Sequence, residues 1–441
     1  MASNASRLVL DGFYDTILVR FVGEIGIKSE KVRRRLIDRL AACIGNQLER
    51  KRVRGFLLSI THARLFLAIK DPGGVAAVHE LLQRIPGIHS FSYCSVFPLD
   101  PGKVHDRAVA LARLLLKEGR SFAVRVTREG THEFTSQALA RDVGSSILEN
   151  LKDTRPRVDL TRPDITIYIE VRDSTALIYH EKHDGFGGMP RDVSSPVLGS
   201  VGLASTSWEA CHRVIKRGSN LHPVLLRPLK APAMSIHDPA GAADFSSLLN
   251  EDPEIVGKMF QLLDVQEDNR VRVTVVPIPS ELLEWIEHEL IPVDSEAIAT
   301  FLGIVVPALV HARVHSGSTR TRRKAMDFKA IVSDYAGRHA GGSTGALRWI
   351  QAASTAVEAM MPAGVPALPI IFPLMPGGTI DADQEAITAG EAVPSCADGT
   401  LLELLGRPAT REELLALLQH AVDQRRAVQF DMIERRFVSR E

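Results

Sequence analysis

The sequence predicts a multidomain protein that combines α+β and α/β architecture. The chain has 441 residues, which is enough for more than one hydrophobic core. Its first 190 residues alternate strand and helix patterns, and a strand–loop–helix pattern typical of α/β layers begins near residue 191. The composition, 45% hydrophobic and 24% charged, is that of an ordered globular protein.

The first predicted domain covers residues 1–95. Its pattern predicts, in order, a strand at 16–22, a helix starting near Ser29, strands within 55–70, a helix at 75–85 and a strand beginning at 87. This strand–helix–strand–strand–helix–strand order is the ferredoxin-like arrangement.

The second predicted domain covers residues 96–190 and the third covers residues 191–441. In the second, two helices alternate with three strands, predicted at 103–119, 121–134, 136–151, 164–172 and 175–188. In the third, apolar stretches typical of buried parallel strands lie at 221–229, 271–279 and 367–375. An irregular loop is predicted at 230–254, and an amphipathic helix continuing into charged sequence at 410–436.

Composition also excludes several classes of protein. Basic and acidic residues balance at 53 each, so any nucleic-acid signal must come from local clusters. Four cysteines without a C-x-x-C pair argue against a disulfide framework or a cysteine zinc site, and His212, His311 and His315 lack partners at ligand spacing, so no metal site is predicted. The longest apolar run, 298–310, is too short to span a bilayer, and no signal-peptide pattern is present, which predicts a cytoplasmic protein without membrane contact.

The stretch 196–218 has the outline of a phosphate-binding strand–loop–helix. An apolar lead-in precedes the small-residue string SVGLAS (200–205), and a helical pattern follows. Small residues let backbone N–H groups approach a phosphate at the start of a helix. The alternative is a strand-to-helix turn that only packs.

Several stretches, taken in order, resemble the tRNA 4-thiouridine synthases. They are FVGEIGIKSEKVRRR (21–35), RIPGIHSFSYC (84–94), FAVRVTREGTHEFTSQALARDVGSSI (122–147), VDLTRPDITIYIEVR (158–172) and DGFGGMP (184–190). The resemblance is close from residue 17 to about residue 230. It implies a ferredoxin-like domain at 1–95, an RNA-binding THUMP domain at 96–190 and a Rossmann-like PP-loop domain, of the adenine nucleotide alpha hydrolase-like type, at 191–441.

Basic side chains mark two places within the resembling region. The first group is Lys28, Lys31, Arg33, Arg34 and Arg35, and the second is Arg125, Arg128 and Arg141. The resemblance implies that they bind tRNA at its acceptor end and elbow, where Lys and Arg reach phosphate oxygens without reading bases. The alternative for the run 31–35 is a solvated charged face.

In the resembled family the loop reads S-G-G-x-D-S and holds the pyrophosphate of ATP. Ser200, Gly202 and Ser205 match this pattern and are the candidate ATP-binding residues. Val201 departs from it with a stiff branched side chain. Ala204 replaces the acid, which the family uses with magnesium or to orient the uridine, and a methyl group can do neither. The loop is therefore a degenerate PP-loop.

The resemblance implies ATP-dependent sulfur transfer to uridine 8 of tRNA, with ATP and magnesium required if the enzyme is active. Cys396, in AVPSCADG (392–399), lies where the resemblance places the active cysteine of the family and is the candidate catalytic residue, since a thiolate can attack sulfur. The other interpretation of Cys396 is an ordinary small residue in a loop. A persulfide sulfur donor protein is the expected partner besides tRNA. The alternative is a catalytically inactive tRNA-binding scaffold that has lost ATP-dependent adenylation. A third hypothesis is an altered α/β site for another small molecule. The sequence leaves open whether activity remains and whether the chain forms a homodimer.

Overall fold

A nine-stranded sheet forms the core of the first of two units into which the chain divides, Met1–Pro190 and Arg191–Glu441. The computed structural model describes residues 4–61, 64–202, 205–228, 245–264, 270–278, 302–303, 306–308, 310–311, 330–332, 370–371, 422–423, 425–432 and 434–438. Each unit is described by itself.

The strands of the first unit include one that is longer than the others. They are β1 (Thr16–Phe21), β2 (Phe56–Thr61), β3 (Arg64–Ile69), β4 (Ile88–Pro98), β5 (Ser121–Glu129), β6 (Arg157–Val158), β7 (Ile165–Arg172), β8 (Thr175–Tyr179) and β9 (His183–Asp184). The helices are α1 (Asn4–Leu10), α2 (Gly23–Gly26), α3 (Glu30–Arg50), α4 (Val75–Leu82), α5 (Pro101–Leu115) and α6 (Ser136–Asn150).

The long strand β4 joins two subdomains into one sheet, whose order is β2-β3-β1-β4-β8-β7-β5-β6, with β9 also paired to β4. The N-terminal half of β4 pairs with β1, and its last four residues, Ser95–Pro98, pair with β8. The antiparallel order β2-β3-β1-β4, with α3 and α4 as crossovers, confirms the predicted ferredoxin-like arrangement. One unbroken strand thus runs through both subdomains.

Local sequence accounts for the helices of this unit. Residues of α3 recur on one face at helical spacing and are buried there: Leu36, Ile37, Leu40, Cys43, Ile44, Gln47 and Leu48. Asp100 caps α5, with its side chain accepting from the Lys103 backbone N–H at 3.0 Å. Thr135 caps α6 in the same way through Ala138, also at 3.0 Å. Such caps satisfy N–H groups that have no partner within the helix.

The second unit is built on a seven-stranded sheet. Its elements are β10 (Val197–Val201), α7 (Ser205–Lys216), β11 (Leu221–Pro228), α8 (Phe245–Asn250), α9 (Pro253–Leu263), β12 (Arg270–Ile278), β13 (Ala330–Val332), β14 (Ile370–Ile371), β15 (Arg426–Asp431) and β16 (Arg436–Val438). The order β14-β13-β10-β11-β12-β15-β16 holds five parallel strands and an antiparallel edge pair. This is the doubly wound arrangement expected of a Rossmann-like domain.

Two predictions for this unit are wrong. The charged C-terminal stretch, predicted as part of a helix at 410–436, forms the strands β15 and β16, and β15 pairs with β12 from Arg426 to Asp431. The predicted loop at 230–254 includes the helix α8 and the start of α9. Asp252 caps α9 and Pro253 begins it, which is a start signal that the small-residue composition of this stretch concealed. In the described part of the chain, no helix has both the length and the apolar character to cross a membrane.

Candidate nucleic-acid interface and nucleotide loop

The first predicted basic group lies where α3 begins. Lys28 is in the turn between α2 and α3, and Lys31, Arg34 and Arg35 follow on the first turns of α3. These four side chains are exposed, and Arg33 is half-buried. Positions three and four apart share a helix face, so Lys31, Arg34 and Arg35 lie side by side. The structure therefore brings most of this group together on one surface.

The cations of this group are not used by the fold. Within the described residues, none of the five side chains takes part in an ion pair or a side-chain hydrogen bond. Ser29 occupies the N-cap of α3 but makes no capping hydrogen bond, so the first N–H groups of the helix keep their capacity to donate. Cations beside a helix N-terminus oppose the helix dipole, at a cost of about 0.3–1 kcal/mol each. A bound anion would offset this unfavourable interaction, because it would be attracted both to the cations and to the helix N-terminus.

The second predicted group does not form one surface. Arg125 and Arg128 are three residues apart on β5, so they project from opposite faces of the sheet. Arg125 donates to the Leu160 carbonyl at 2.9 Å, and Arg128 donates to the carbonyls of His132, at 3.1 Å, and Phe134. Arg141 is exposed on α6. Two of these three arginines thus hold loops of their own subdomain in place.

A charged pair that the sequence analysis missed links the two subdomains. Arg20 on β1 donates to Glu170 on β7 at 2.7 Å across 150 residues of sequence, and to the Ser92 hydroxyl at 3.0 Å. Tyr179 donates to the same carboxylate at 2.7 Å. Burial alone would raise the pKa of Glu170, but the positive charge and hydrogen bonds of Arg20, with the Tyr179 hydroxyl, hold it below its ordinary value. A charged residue inside an otherwise apolar strand, as in TILVRF, was the signal available in the sequence.

The predicted nucleotide loop follows β10, the middle one of the five parallel strands of the second sheet. The chain adds β11 and β12 on one side of β10, and β13 and β14 on the other. The carboxyl end of β10 is therefore the point where strand order reverses, which is where open α/β sheets bind their ligands. Gly202 follows β10, and α7 begins at Ser205. The topology alone makes this the candidate ligand site of the unit.

The backbone of this loop suits a phosphate better than its side chains do. Gly202 has φ +111°, and a Cβ there would lie 2.6 Å from the Leu226 carbonyl oxygen, so only glycine permits so tight a turn against β11. The helix α7 then presents its N-terminus to the end of β10, as an anion requires. Ser200 and Val201 are buried residues of β10, so the stiff, branched Val201 lies in the strand before the turn at Gly202.

Two predicted site residues are not described in full. The side chain of Ser205 and the catalytic candidate Cys396 lie outside the described residues. The other cysteines, Cys43, Cys94 and Cys211, are buried. Burial raises the pKa of the Cys94 thiol well above its ordinary range, which suppresses the reactive thiolate. Among the side chains that the structure describes, no group of three or more His, Cys, Asp or Glu could hold a metal ion.

Both subdomains of the first unit match known domain families. Residues 16–92 match the ThiI ferredoxin-like domain, and residues 103–181 match the THUMP domain. The first unit thus carries a ThiI ferredoxin-like domain followed by a THUMP domain. The tRNA sulfurtransferases of Salmonella paratyphi B and Salmonella newport are each 33% identical to the chain over 207 residues, which is 46% of this chain and 42% of the relative. The chain thus aligns with less than half the length of these relatives.

Two solved structures share the fold over most of the chain. A 4-thiouridine synthetase, solved as an RNA complex with bound ATP, superposes with a TM-score of 0.58 at 16% identity, covering 94% of this chain and 99% of its own. PH1313 from Pyrococcus horikoshii Ot3 gives a TM-score of 0.53 at 20% identity, covering 82% of this chain and 94% of its own. At this identity the likeness shows the fold alone.

Proposed function

We propose that this chain binds tRNA through its first unit and takes part in ATP-dependent sulfur transfer to uridine 8, which makes 4-thiouridine. The observation that carries the proposal is the ThiI-type tandem joined to a doubly wound sheet with its tight glycine turn at the reversal point. Relatives named tRNA sulfurtransferases support it through the matched half of the chain. Since tRNA is the proposed partner, we place the protein in the cytoplasm.

The exposed cations at the start of α3 would bind the tRNA backbone. Lys31, Arg34 and Arg35 share one helix face and have no partners in the described protein, so their charges are available to phosphates. Lys28 extends the same surface by one turn. Such contacts position an RNA and make its binding depend steeply on salt, but they carry no base sequence. Base specificity would have to come from the shape of the tRNA.

The turn at Gly202 would receive the phosphates of ATP. The donors would be the backbone N–H groups of this turn and of the first residues of α7. Ser200 is a buried residue of β10, two positions before Gly202. When bound, ATP supplies the adenylation that activates the uridine for attack by sulfur. The loop itself has Ala204 where an acid is expected, so a magnesium ion would need an oxygen ligand from elsewhere in the chain.

The sulfur would pass through Cys396 or come from a partner protein. Because Cys43, Cys94 and Cys211 are buried, they are unsuited to exchange sulfur with a donor. Cys396 is the remaining cysteine of the sequence. Sulfur transfer of this kind requires a partner protein that carries a persulfide. We also propose a homodimer, which sedimentation would test.

A second candidate function rests on the same alanine. Without the loop acid, the second unit would not adenylate the uridine, and the chain would be a tRNA-binding protein whose second unit has only a structural role. The two candidates agree on tRNA binding and differ in whether ATP is consumed.

One assay separates them. The purified chain is incubated with unmodified tRNA, magnesium-ATP, a protein persulfide as sulfur donor and a thiol that supplies the electrons releasing the transferred sulfur, and the tRNA is digested and searched for 4-thiouridine by mass spectrometry. The enzyme predicts product that needs ATP, is lost in Cys396→Ser and survives in the control Cys43→Ala, which changes a buried thiol. Tight tRNA binding without ATP binding or product would instead establish the scaffold. Failure to bind tRNA would contradict both.

A further inference from the structure

A row of charged side chains crosses the sheet of the first unit, on the face opposite Phe91 and Tyr93. It runs from Arg64 on β3 through Arg20 on β1 to Arg172 on β7, and we call these three the arginine row. The register pairs Val19 with Leu65, which sets Arg20 and Arg64 across from each other on neighbouring strands. All three arginines are half-buried, so each keeps a part of its surface exposed.

The carboxylates along this row are already occupied. One oxygen of Glu170 accepts from Arg20 and from Tyr179, both at 2.7 Å, and the other accepts from Arg172 at 3.3 Å. Arg172 also pairs with Glu129, whose side chain is mostly exposed. The carboxylates of Glu170 and Glu129 thus form ion pairs with Arg20 and Arg172, and neither of them forms one with Arg64.

Arg64 is the arginine of the row that forms no direct ion pair among the described residues. Its Nε atom is buried and has no hydrogen-bond acceptor among the described residues, and the Nε atom of Arg172 is in the same condition. The contact that Arg64 does make is with the ring of Phe21, whose centroid lies 5.5 Å from its Cζ. Burial and then repulsion from Arg172 lower the pKa of Arg64, and the attraction of Glu170 and Glu129 does not offset them. Buried charges in proteins are normally paired, so an unpaired one calls for a reason outside the chain.

The aromatic rings beside the row are already stacked. Lys182 lies over Tyr168 at 4.3 Å, Tyr168 stacks on Tyr179 with centroids 5.0 Å apart, and Arg20 lies over Tyr179 at 4.9 Å. Each ring is thus contacted by a second ring and by a cation. Neither of these two rings therefore has both faces available to a base, whereas the Nε–H groups of Arg64 and Arg172 have no acceptor among the described residues.

We infer that the arginine row binds a phosphate group, with Arg64 as its principal ligand. Guanidinium groups match phosphate oxygens in paired hydrogen bonds, and several arginines can engage different oxygens of one tetrahedral anion. The phosphate could belong to bound RNA, in which case the inference rests on the proposed function, or it could be free in solution. The site is distinct from the basic group at the start of α3, which lies on a helix rather than on the sheet.

Thermal unfolding of the full chain in inorganic phosphate, against chloride at equal ionic strength, tests the site. Phosphate should raise the unfolding midpoint of the wild type by a few degrees, because a ligand stabilises the state that binds it. Arg64→Gln should lose this rise, yet in chloride it should be at least as stable as the wild type, since it removes an unpaired cation. Arg64→Lys, which keeps the charge, should retain part of the rise. The control Arg113→Gln changes an exposed arginine of α5 and should behave as the wild type.

Binding of labelled tRNA to the same variants identifies the source of the phosphate. If the phosphate belongs to RNA, Arg64→Gln should weaken binding several-fold and lower the slope of log affinity against log salt by roughly one. Unchanged tRNA binding beside a lost phosphate effect would assign the site to free phosphate. A wild type that responds to phosphate but does not bind tRNA would overturn the proposed function and leave the site standing. The inference fails if phosphate stabilises wild type and Arg64→Gln equally and tRNA binding is unchanged, or if the variant is simply less stable in every buffer.

Discussion

Two sets of cations in the first unit look alike in sequence and differ in what the fold does with them. Lys31, Arg34 and Arg35 are exposed on one face of α3 and have no partners in the described protein. Arg125 and Arg128 donate to backbone carbonyls of their own subdomain. The difference teaches that the number of basic residues in a stretch does not measure the charge available to a ligand. Donor groups already used within the fold contribute to stability instead.

The largest expected loss of stability follows substitution of Arg20, the cation that pairs with the buried Glu170. Arg20→Met leaves the Glu170 carboxylate buried without its main counter-charge, and should lower the free energy of unfolding of the first unit by about 3–5 kcal/mol. Urea unfolding followed by circular dichroism measures this change. Arg113→Met, an exposed substitution on α5, is the matched control and should change stability by no more than about 0.5 kcal/mol. A loss for Arg20→Met as small as the control's would show that the pair is not a structural link.

The pH dependence of the same pair supplies an independent check. The pKa of Glu170 is held below its ordinary value of 4.5, so the folded state binds this proton less tightly than the unfolded state does. Its contribution to stability is complete above pH 4.5 and is lost as the pH falls through the lowered value. Acid unfolding should therefore be less steep in Glu170→Gln than in wild type, and an unchanged slope would contradict the pairing of this carboxylate.

An intermediate effect is expected for the cations that the fold leaves unused. The triple variant Lys31→Gln, Arg34→Gln, Arg35→Gln should weaken tRNA binding roughly 10- to 100-fold and reduce the salt slope by roughly two to three. Its stability should be unchanged or slightly higher, because three cations beside a helix N-terminus are removed. Fluorescence anisotropy across a salt series measures both quantities. Weaker binding accompanied by a clear loss of stability would mean that these side chains serve the fold after all.

The smallest effect is expected for a cation that braces a loop. Arg128→Ala removes hydrogen bonds to the carbonyls of His132 and Phe134, and should cost about 1 kcal/mol in the free energy of unfolding. Binding of tRNA should stay within twofold of wild type, because this guanidinium is already engaged. The same anisotropy and urea measurements apply. If Arg128→Ala weakened tRNA binding as strongly as the α3 triple variant, the contrast between the two sets would be wrong.

Features with a local cause could be predicted from the sequence. The apolar face of α3 follows from helical periodicity, and the buried strands β11 and β12 follow from continuous apolar stretches. Neighbouring residues alone determine both patterns. The loop after β10 was recognisable because small residues separate a strand pattern from a helix pattern. The C-terminal strand β15 was not, since a helical pattern precedes it and the strand depends on pairing with β12, more than 150 residues earlier.

The sequence by itself determined which residues carry charge, which segments are amphipathic and where a glycine turn follows a strand. Only the tertiary structure decided which charges meet. Arg20 reaches Glu170 because β4 joins two subdomains in one sheet, and Arg64 is left without a carboxylate by the same strand order. The physical reason is that periodicity is set by residues three or four apart, whereas the pairing of buried charges depends on contacts between strands distant in the chain.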